Sequence, residues 1–166
     1  MIILYFSYGP IHLLIKANNQ GITNIDFVSE EETNSALQSG FSKETTQHLN
    51  HAVRELNAYF KGEIDHFTVP TDFQIGTSFQ QKVWHALTRI PFGEIRSYQD
   101  IAIAVDSPKA QQAVGQANRR NPIPIIIPCH RVIGKNGQLT GYSGNSEEGL
   151  MIKQFLLDLE HKKERD

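Results

Sequence analysis

Asn121-Pro122-Ile123-Pro124-Ile125-Ile126-Ile127-Pro128-Cys129-His130-Arg131-Val132-Ile133 is an apolar run broken by prolines that ends on a cysteine and a histidine. Proline removes a backbone donor and fixes φ, so this stretch is a rigid, shaped segment and not a central strand. Cys129 is the single cysteine of the 166 residues, which rules out an internal disulfide. A structural zinc site would have to come from histidines and carboxylates without finger-like spacing, so no metal is expected. A lone cysteine is ordinarily a small buried hydrophobe, and it becomes a strong nucleophile only as thiolate, which needs a nearby base or cation and a group orienting that base. His130 and the distant Glu160 are candidates for those roles. Neighbouring side chains on extended backbone face opposite ways, so His130 reaches Cys129 through a kink or a bridging water. A hydrogen-bonded turn histidine is the plainer alternative.

Upstream of that stretch the spacing predicts short helices. Thr77 or Ser78 caps one whose apolar face is Phe79, Val83, Leu87 and Ile90, with Pro91-Phe92-Gly93 as its stop. Ser97 and Asp100 form a capping-box start for a second, carrying Ile101, Ala102 and Ala104. Ser107-Pro108 opens a third, running from residue 108 to about residue 118, and the pair makes a helix-turn-helix across Val105-Asp106-Ser107. Downstream, residues 134 to 144 read as a glycine-rich loop. A closing helix over residues 150 to 160 has Leu150, Phe155, Leu156 and Leu159 as its apolar positions. Nearer the start, residues 2 to 7, 11 to 16 and 22 to 28 form an antiparallel meander, residues 29 to 42 a polar loop, and residues 43 to 61 a helix stopped at Gly62. The expected architecture is therefore α/β of the α+β kind. An N-terminal sheet-and-helix domain covers residues 1 to 72, packed on a helix-turn-helix domain over residues 73 to 166.

The net charge of -2 hides an uneven distribution. Residues 1 to 72 carry four Lys or Arg against nine Asp or Glu, residues 73 to 135 eight against three, and the remainder four against six. The middle segment is thus the candidate for a polyanionic partner. The N-terminus lacks a basic leader and is interrupted by Ser7, Gly9 and Pro10, so neither a secretory signal nor a membrane span is expected, and a cytoplasmic or nucleoid-associated protein is the default.

The run Ile127-Pro128-Cys129-His130-Arg131-Val132-Ile133 resembles the active-site signature of the O6-alkylguanine-DNA alkyltransferases, also called methylated-DNA–protein-cysteine methyltransferases. The likeness spans about residues 79 to 160, through Phe92-Gly93-Glu94, Ser97-Tyr98, Pro108-Lys109-Ala110, Ala113-Val114-Gly115, Asn121-Pro122 and Gly141-Tyr142-Ser143. The first 70 residues match only in their strand-helix plan. The resemblance implies a winged-helix C-terminal domain and irreversible transfer of an alkyl group from O6-alkylguanine in duplex DNA, and also from O4-alkylthymine, to Cys129. No cofactor is implied. The base must be rotated out, since O6 of a stacked guanine is out of reach of a buried sulfur. On the same resemblance, His130 is the base acting through water and Glu160 its orienting group. Asn121 braces the active-site turn, and Tyr98 donates to N3 of the departing guanine. Tyr142, Ser143 and Pro124 wall the pocket, and the carbonyls of Cys129 and Val132 accept from the exocyclic amine. Gln112 and Ala113 lie on the helix that enters DNA, and Arg119, Arg120 and Arg131 are candidates for phosphate contacts, with plain surface charge as the alternative. The protein is expected to be a monomer. One departure is Gln112, which stands where the family usually carries an intercalating arginine. A non-catalytic alkylated-base binder and a cysteine hydrolase using Cys129 and His130 are the rival readings.

Overall fold

The protein is described from a computed structural model, which covers residues 2–34, 43–134, 137 and 147–165. The chain divides into two compact units, Met1–Ile75 and Gly76–Asp166.

In the first unit, β1 (Ile2–Tyr8), β2 (Ile11–Ala17) and β3 (Ile22–Phe27) form an antiparallel sheet in that order. Period-two alternation along β2 buries Ile11, Leu13, Ile15 and Ala17 on one face, and the register places Ile15 opposite both Leu4 and Ile25. A short helix, α1 (Glu30–Asn34), lies within the stretch expected to be a loop. Its cause is local: the Ser29 hydroxyl accepts from Glu32 N–H, and Glu30, Glu31 and Glu32 favour the positive end of the helix dipole. Helix α2 (Lys43–Phe60) turns Leu49, Ala52, Leu56, Tyr59 and Phe60 inward. It ends where Gly62 adopts φ 77°, which lets Glu63 N–H reach back to the Ala58 carbonyl. The unit closes with Ile22 donating to the Pro70 carbonyl and accepting from Asp72 N–H.

In the second unit, α3 (Ser78–Leu87) begins with the capping box of Thr77 and Gln80 and buries Val83, Trp84, Ala86 and Leu87. It stops before the expected Pro91, because residues 88 to 90 tighten into i→i+3 bonds. The two-residue β4 (Arg96–Ser97) leads into α4 (Tyr98–Ala104), whose capping box joins Ser97 and Asp100. Asp106 at φ 60° closes α4, with Ser107 N–H bonded to the Ala102 carbonyl. Helix α5 (Gln111–Arg119) starts three residues later than Ser107-Pro108 suggests. Ser107 is used otherwise: its N–H terminates α4, and its carbonyl accepts from Ala110 in a separate turn.

Residues 121 to 128 form buried turns leading to one turn of 3₁₀ helix, Cys129–Arg131, and then to β5 (Val132–Ile133). Strand β5 pairs in parallel with β4, Arg96 beside Val132 and Ser97 beside Ile133. Helix α6 (Glu147–Arg165) is longer than its apolar pattern suggests. Its inward positions are Gly149, Lys153, Leu156 and Glu160, spaced as one helical face, while Leu150, Phe155 and Leu159 are only half-buried. No helix among the described residues is long and apolar enough to cross a membrane.

Candidate active site

Asn121 fixes the turn that presents the cysteine. Its Nδ2 donates to the Ile127 carbonyl at 2.8 Å, and its Oδ1 accepts from Ile123 N–H at 3.0 Å, so one side chain clamps both sides of the loop. Between the clamps Pro124 is buried, and Ile125 sits at φ 74°, a conformation that a β-branched residue adopts only when its surroundings impose it. The chain then turns at Cys129, which is 3 % exposed, into the 3₁₀ turn, so Cys129 and His130 are not on the extended backbone assumed above.

His130 is fully buried and its Nε2 lies 2.6 Å from Glu160 Oε2. An ionised carboxylate can only accept, so Nε2 carries the proton and Nδ1 is left as a basic lone pair. Nδ1 is itself buried and has no hydrogen-bond partner among the described residues. Burial lowers the His130 pKa below its ordinary value, outweighing the pull of Glu160, while Arg131 and Lys153 lower it further. The ring is therefore neutral at physiological pH and can accept a proton. Burial alone would raise Glu160, yet His130 and Arg131 hold its carboxyl well below the usual carboxylate range.

Arg131, expected among the DNA-facing cations, is buried and faces inward. Its Nε and Nη2 donate to Glu160 Oε1 and Oε2 at 2.8 and 3.0 Å, and its Nη1 donates to the Ile90 carbonyl at 2.6 Å. Phe92 lies 5.8 Å beneath the guanidinium, and Gly93 N–H adds a long bond of 3.4 Å to Glu160. The Pro91-Phe92-Gly93 break thus cradles the Arg131–Glu160 pair.

Two buried polar side chains were not legible as site residues. Lys153 Nζ donates to the Val132 carbonyl at 2.5 Å. Burial lowers its pKa to about 8, against the nearby Cys129 sulfur, which favours its charged form, and with Arg119 pushing the same way as burial. Asn118 Nδ2 donates to the carbonyl of Cys129 itself at 3.2 Å. Their signal was helical spacing: Lys153 lies on one stripe with Leu156 and Glu160, and Asn118 with Val114 and Ala117.

The remaining candidates fall on two surfaces. Tyr98 is half-buried at the start of α4, its ring 3.9 Å from where a side chain on Gly115 would begin. Gln112, Ala113, Arg119 and Arg120 are exposed together on the outer face of α5. Helix α5 is held from behind by Trp84, whose indole N–H donates to the Ala117 carbonyl at 2.8 Å. Tyr142 and Ser143 lie outside the described residues.

Comparison with known proteins brings in the whole chain. Residues 78–162 match the 6-O-methylguanine DNA methyltransferase, DNA binding domain, and residues 3–73 match the ribonuclease-like domain of the same proteins. The likeness therefore includes the N-terminal part, where only a shared strand-helix plan was expected. The constitutive methylated-DNA–protein-cysteine methyltransferase of Bacillus subtilis is 52 % identical over 89 % of this chain and 88 % of its own length. The enzyme of that name from Mycobacterium leprae is 47 % identical over 92 % and 86 %. Among solved structures, the Mycobacterium tuberculosis O6-methylguanine methyltransferase is 39 % identical at a TM-score of 0.81, covering 98 % of this chain and 93 % of that one. The structure of the same organism's protein in complex with DNA is 41 % identical at 0.80, covering 98 % and 94 %.

Proposed function

From the premise that this chain belongs to the 6-O-methylguanine DNA methyltransferase family and acts in direct-reversal DNA repair, we propose that Cys129 accepts the alkyl group of O6-alkylguanine in DNA, once per molecule. The observation that carries this reading is the basic, partnerless Nδ1 of a buried neutral His130, in the residue next to the cysteine and oriented by Glu160. Cys129 gives its proton through a water to His130 Nδ1, and the Lys153 ammonium favours the thiolate. The sulfur then attacks the alkyl carbon. The S–C bond forms as the C–O6 bond breaks, the electron pair leaves with the guanine, Tyr98 gives the base its proton, and the proton that His130 took from Cys129 passes through solvent to restore Tyr98. The buried clamp of Asn121 on residues 123 and 127 keeps the nucleophile in place without reorganisation.

The exposed face of α5, with Gln112, Ala113, Arg119 and Arg120, is the surface we assign to DNA. The family resemblance assigns Tyr142, Ser143 and Pro124 to the base pocket, and the backbone carbonyls of Cys129 and Val132 to the exocyclic amine as acceptors. The protein works as a monomer in the cytoplasm, without a cofactor. A non-catalytic alkylated-base binder is not favoured, since Cys129 stands at the family's signature position. A cysteine hydrolase would regenerate its thiol. Intact-mass measurement after incubation with excess O6-methylguanine DNA separates these readings. One added methyl group per chain, mapped to Cys129, is expected. An unmodified Cys129, or product released over many turnovers, overturns the assignment.

A further inference from the structure

Among the described residues the buried charged groups are Arg131, Lys153 and Glu160, and Arg131 is the one to which the transfer chemistry gives no part. A guanidinium taken out of water needs acceptors, and its planar fork of N–H donors matches the edge of a carboxylate. Nε and Nη2 lie 2.8 and 3.0 Å from opposite oxygens of Glu160, which fixes the plane of the carboxylate. Nη1, 2.6 Å from the Ile90 carbonyl, ties the fork to the chain that follows α3. The same Glu160 Oε2 that Arg131 holds accepts from His130 Nε2.

The charged and titratable groups against the imidazole are Cys129 and Arg131 of its own turn and Lys153 and Glu160 of α6. Helix α3, which also packs on this turn, buries Val83, Trp84, Ala86 and Leu87 and keeps Lys82 and His85 at the surface. Within this buried group the charges of Arg131 and Glu160 cancel. A solvent proton on His130 Nδ1 would leave a net positive charge out of water, near the Lys153 ammonium. A proton taken from Cys129 leaves a thiolate behind, and the sum of charges is unchanged. Without the guanidinium the preference reverses: an imidazolium would neutralise Glu160, so Nδ1 would hold a solvent proton while Cys129 kept its own. Burial, the largest influence, lowers the pKa of His130, Glu160 raises it, and Arg131 lowers it again.

We propose that Arg131 is a positioning residue of the transfer reaction, whose charge, acting through Glu160, keeps His130 Nδ1 free of solvent protons and open to the proton of Cys129. This rests on the reading of Cys129 as acceptor and His130 as base. The arginine touches neither sulfur nor substrate in this role. It sets the pH range over which the nucleophile can be activated.

The test measures the rate of methyl transfer to Cys129 from O6-methylguanine in a single strand at pH of about 7.5 and about 5.5, together with nitrogen NMR of His130, its signals assigned by their loss in His130→Gln. In Arg131→Met the ratio of the two rates should exceed the wild-type ratio by roughly tenfold or more, as expected when a neighbouring cation is removed from a titrating base. At the higher pH the ring should be neutral with its proton on Nε2 in the wild type, and an imidazolium in the variant. Arg131→Lys, which keeps the charge and loses the fork, should retain the wild-type ratio at a lower rate. Arg131→Gln keeps an amide donor for Glu160 and repeats the measurement should the methionine variant not fold. A ratio and a ring protonation identical in the wild type and in a folded methionine or glutamine variant overturn the proposal, however far the rates fall. A lysine variant that behaves as the methionine variant does overturns it too. Failure of the wild type to alkylate Cys129 overturns the acceptor reading instead, and the nitrogen spectra still decide whether Arg131 keeps the ring unprotonated.

Discussion

A carboxylate taken out of water is tolerated only when donors surround it, and Glu160 has His130, both nitrogens of the Arg131 fork and Gly93 N–H. The two obvious substitutions in this cluster therefore differ in kind. Glu160→Gln leaves the Arg131 guanidinium buried against a neutral partner, and removing one member of such a pair costs about 3–5 kcal/mol. That variant should lose much of its thermal stability as well as its activity. His130→Ala leaves the Arg131–Glu160 pair intact, so it should slow transfer by roughly 10²-fold or more while DNA affinity holds. Equal losses of rate and affinity in His130→Ala would point to a damaged fold and count against a base role. The same histidine sets a pH dependence. Its folded pKa is lowered, so below its unfolded value of about 6.5 the unfolded chain binds a proton that the folded chain refuses. Stability should then fall as the pH is lowered from about 7.5 to about 5.5, through the unfolded value. Urea melts of wild type and His130→Gln at the two pH values check the sign, because the variant should lack that increment. Identical pH responses would mean that His130 is not held neutral.

At the level of elements, what was readable from the sequence was whatever local chemistry decides. The cap at Thr77, the Ser97–Asp100 capping box, the stop at Gly62 and the antiparallel meander of β1, β2 and β3 are short-range signals, and they stand where they were expected. Where two signals competed for one residue the reading slipped, as at Ser107, claimed by the end of α4 before it could start α5. The inner face of α6 was obscured for another reason: Lys153 and Glu160 occupy core positions, and polarity alone suggests a solvated helix. Arg131 was misassigned because its partner Glu160 is remote in sequence. Spacing does locate the outer face of α5, where Gln112 projects in the place that the family resemblance gives to an intercalating arginine. Rotating a base out of the stack costs a few kcal/mol, and a neutral amide fills the gap less well than a stacked planar cation. Gln112→Arg should thus speed repair of O6-methylguanine in duplex DNA and leave the reaction with free O6-benzylguanine, which needs no flipping, nearly unchanged. Rates measured on both substrates decide it. Equal responses would remove Gln112 from the flipping step.

For the molecule as a whole the question is how much of its charge DNA can use. The segment over residues 73 to 135 holds eight Lys or Arg, but Arg131 is spent on Glu160 and the Ile90 carbonyl, and Arg96 is paired with Glu94 at 2.9 Å. The exposed cations on α5 and the turn before it are Lys109, Arg119 and Arg120. A neutralised phosphate releases a counterion, so the logarithm of affinity falls with the logarithm of salt by about 0.9 per contact. With contacts confined to those cations the slope should be roughly −2 to −3, shallow enough for binding that is weak at physiological salt and indifferent to sequence. Phosphate contacts position a protein without reading bases. Arg119→Glu or Arg120→Glu should therefore lower affinity alike on alkylated and unmodified duplexes and reduce the slope by about 1. Fluorescence titrations over a salt series would show this. A wild-type slope beyond about −5 would place DNA against cations other than these, and the assignment of the α5 face as the docking surface would fail.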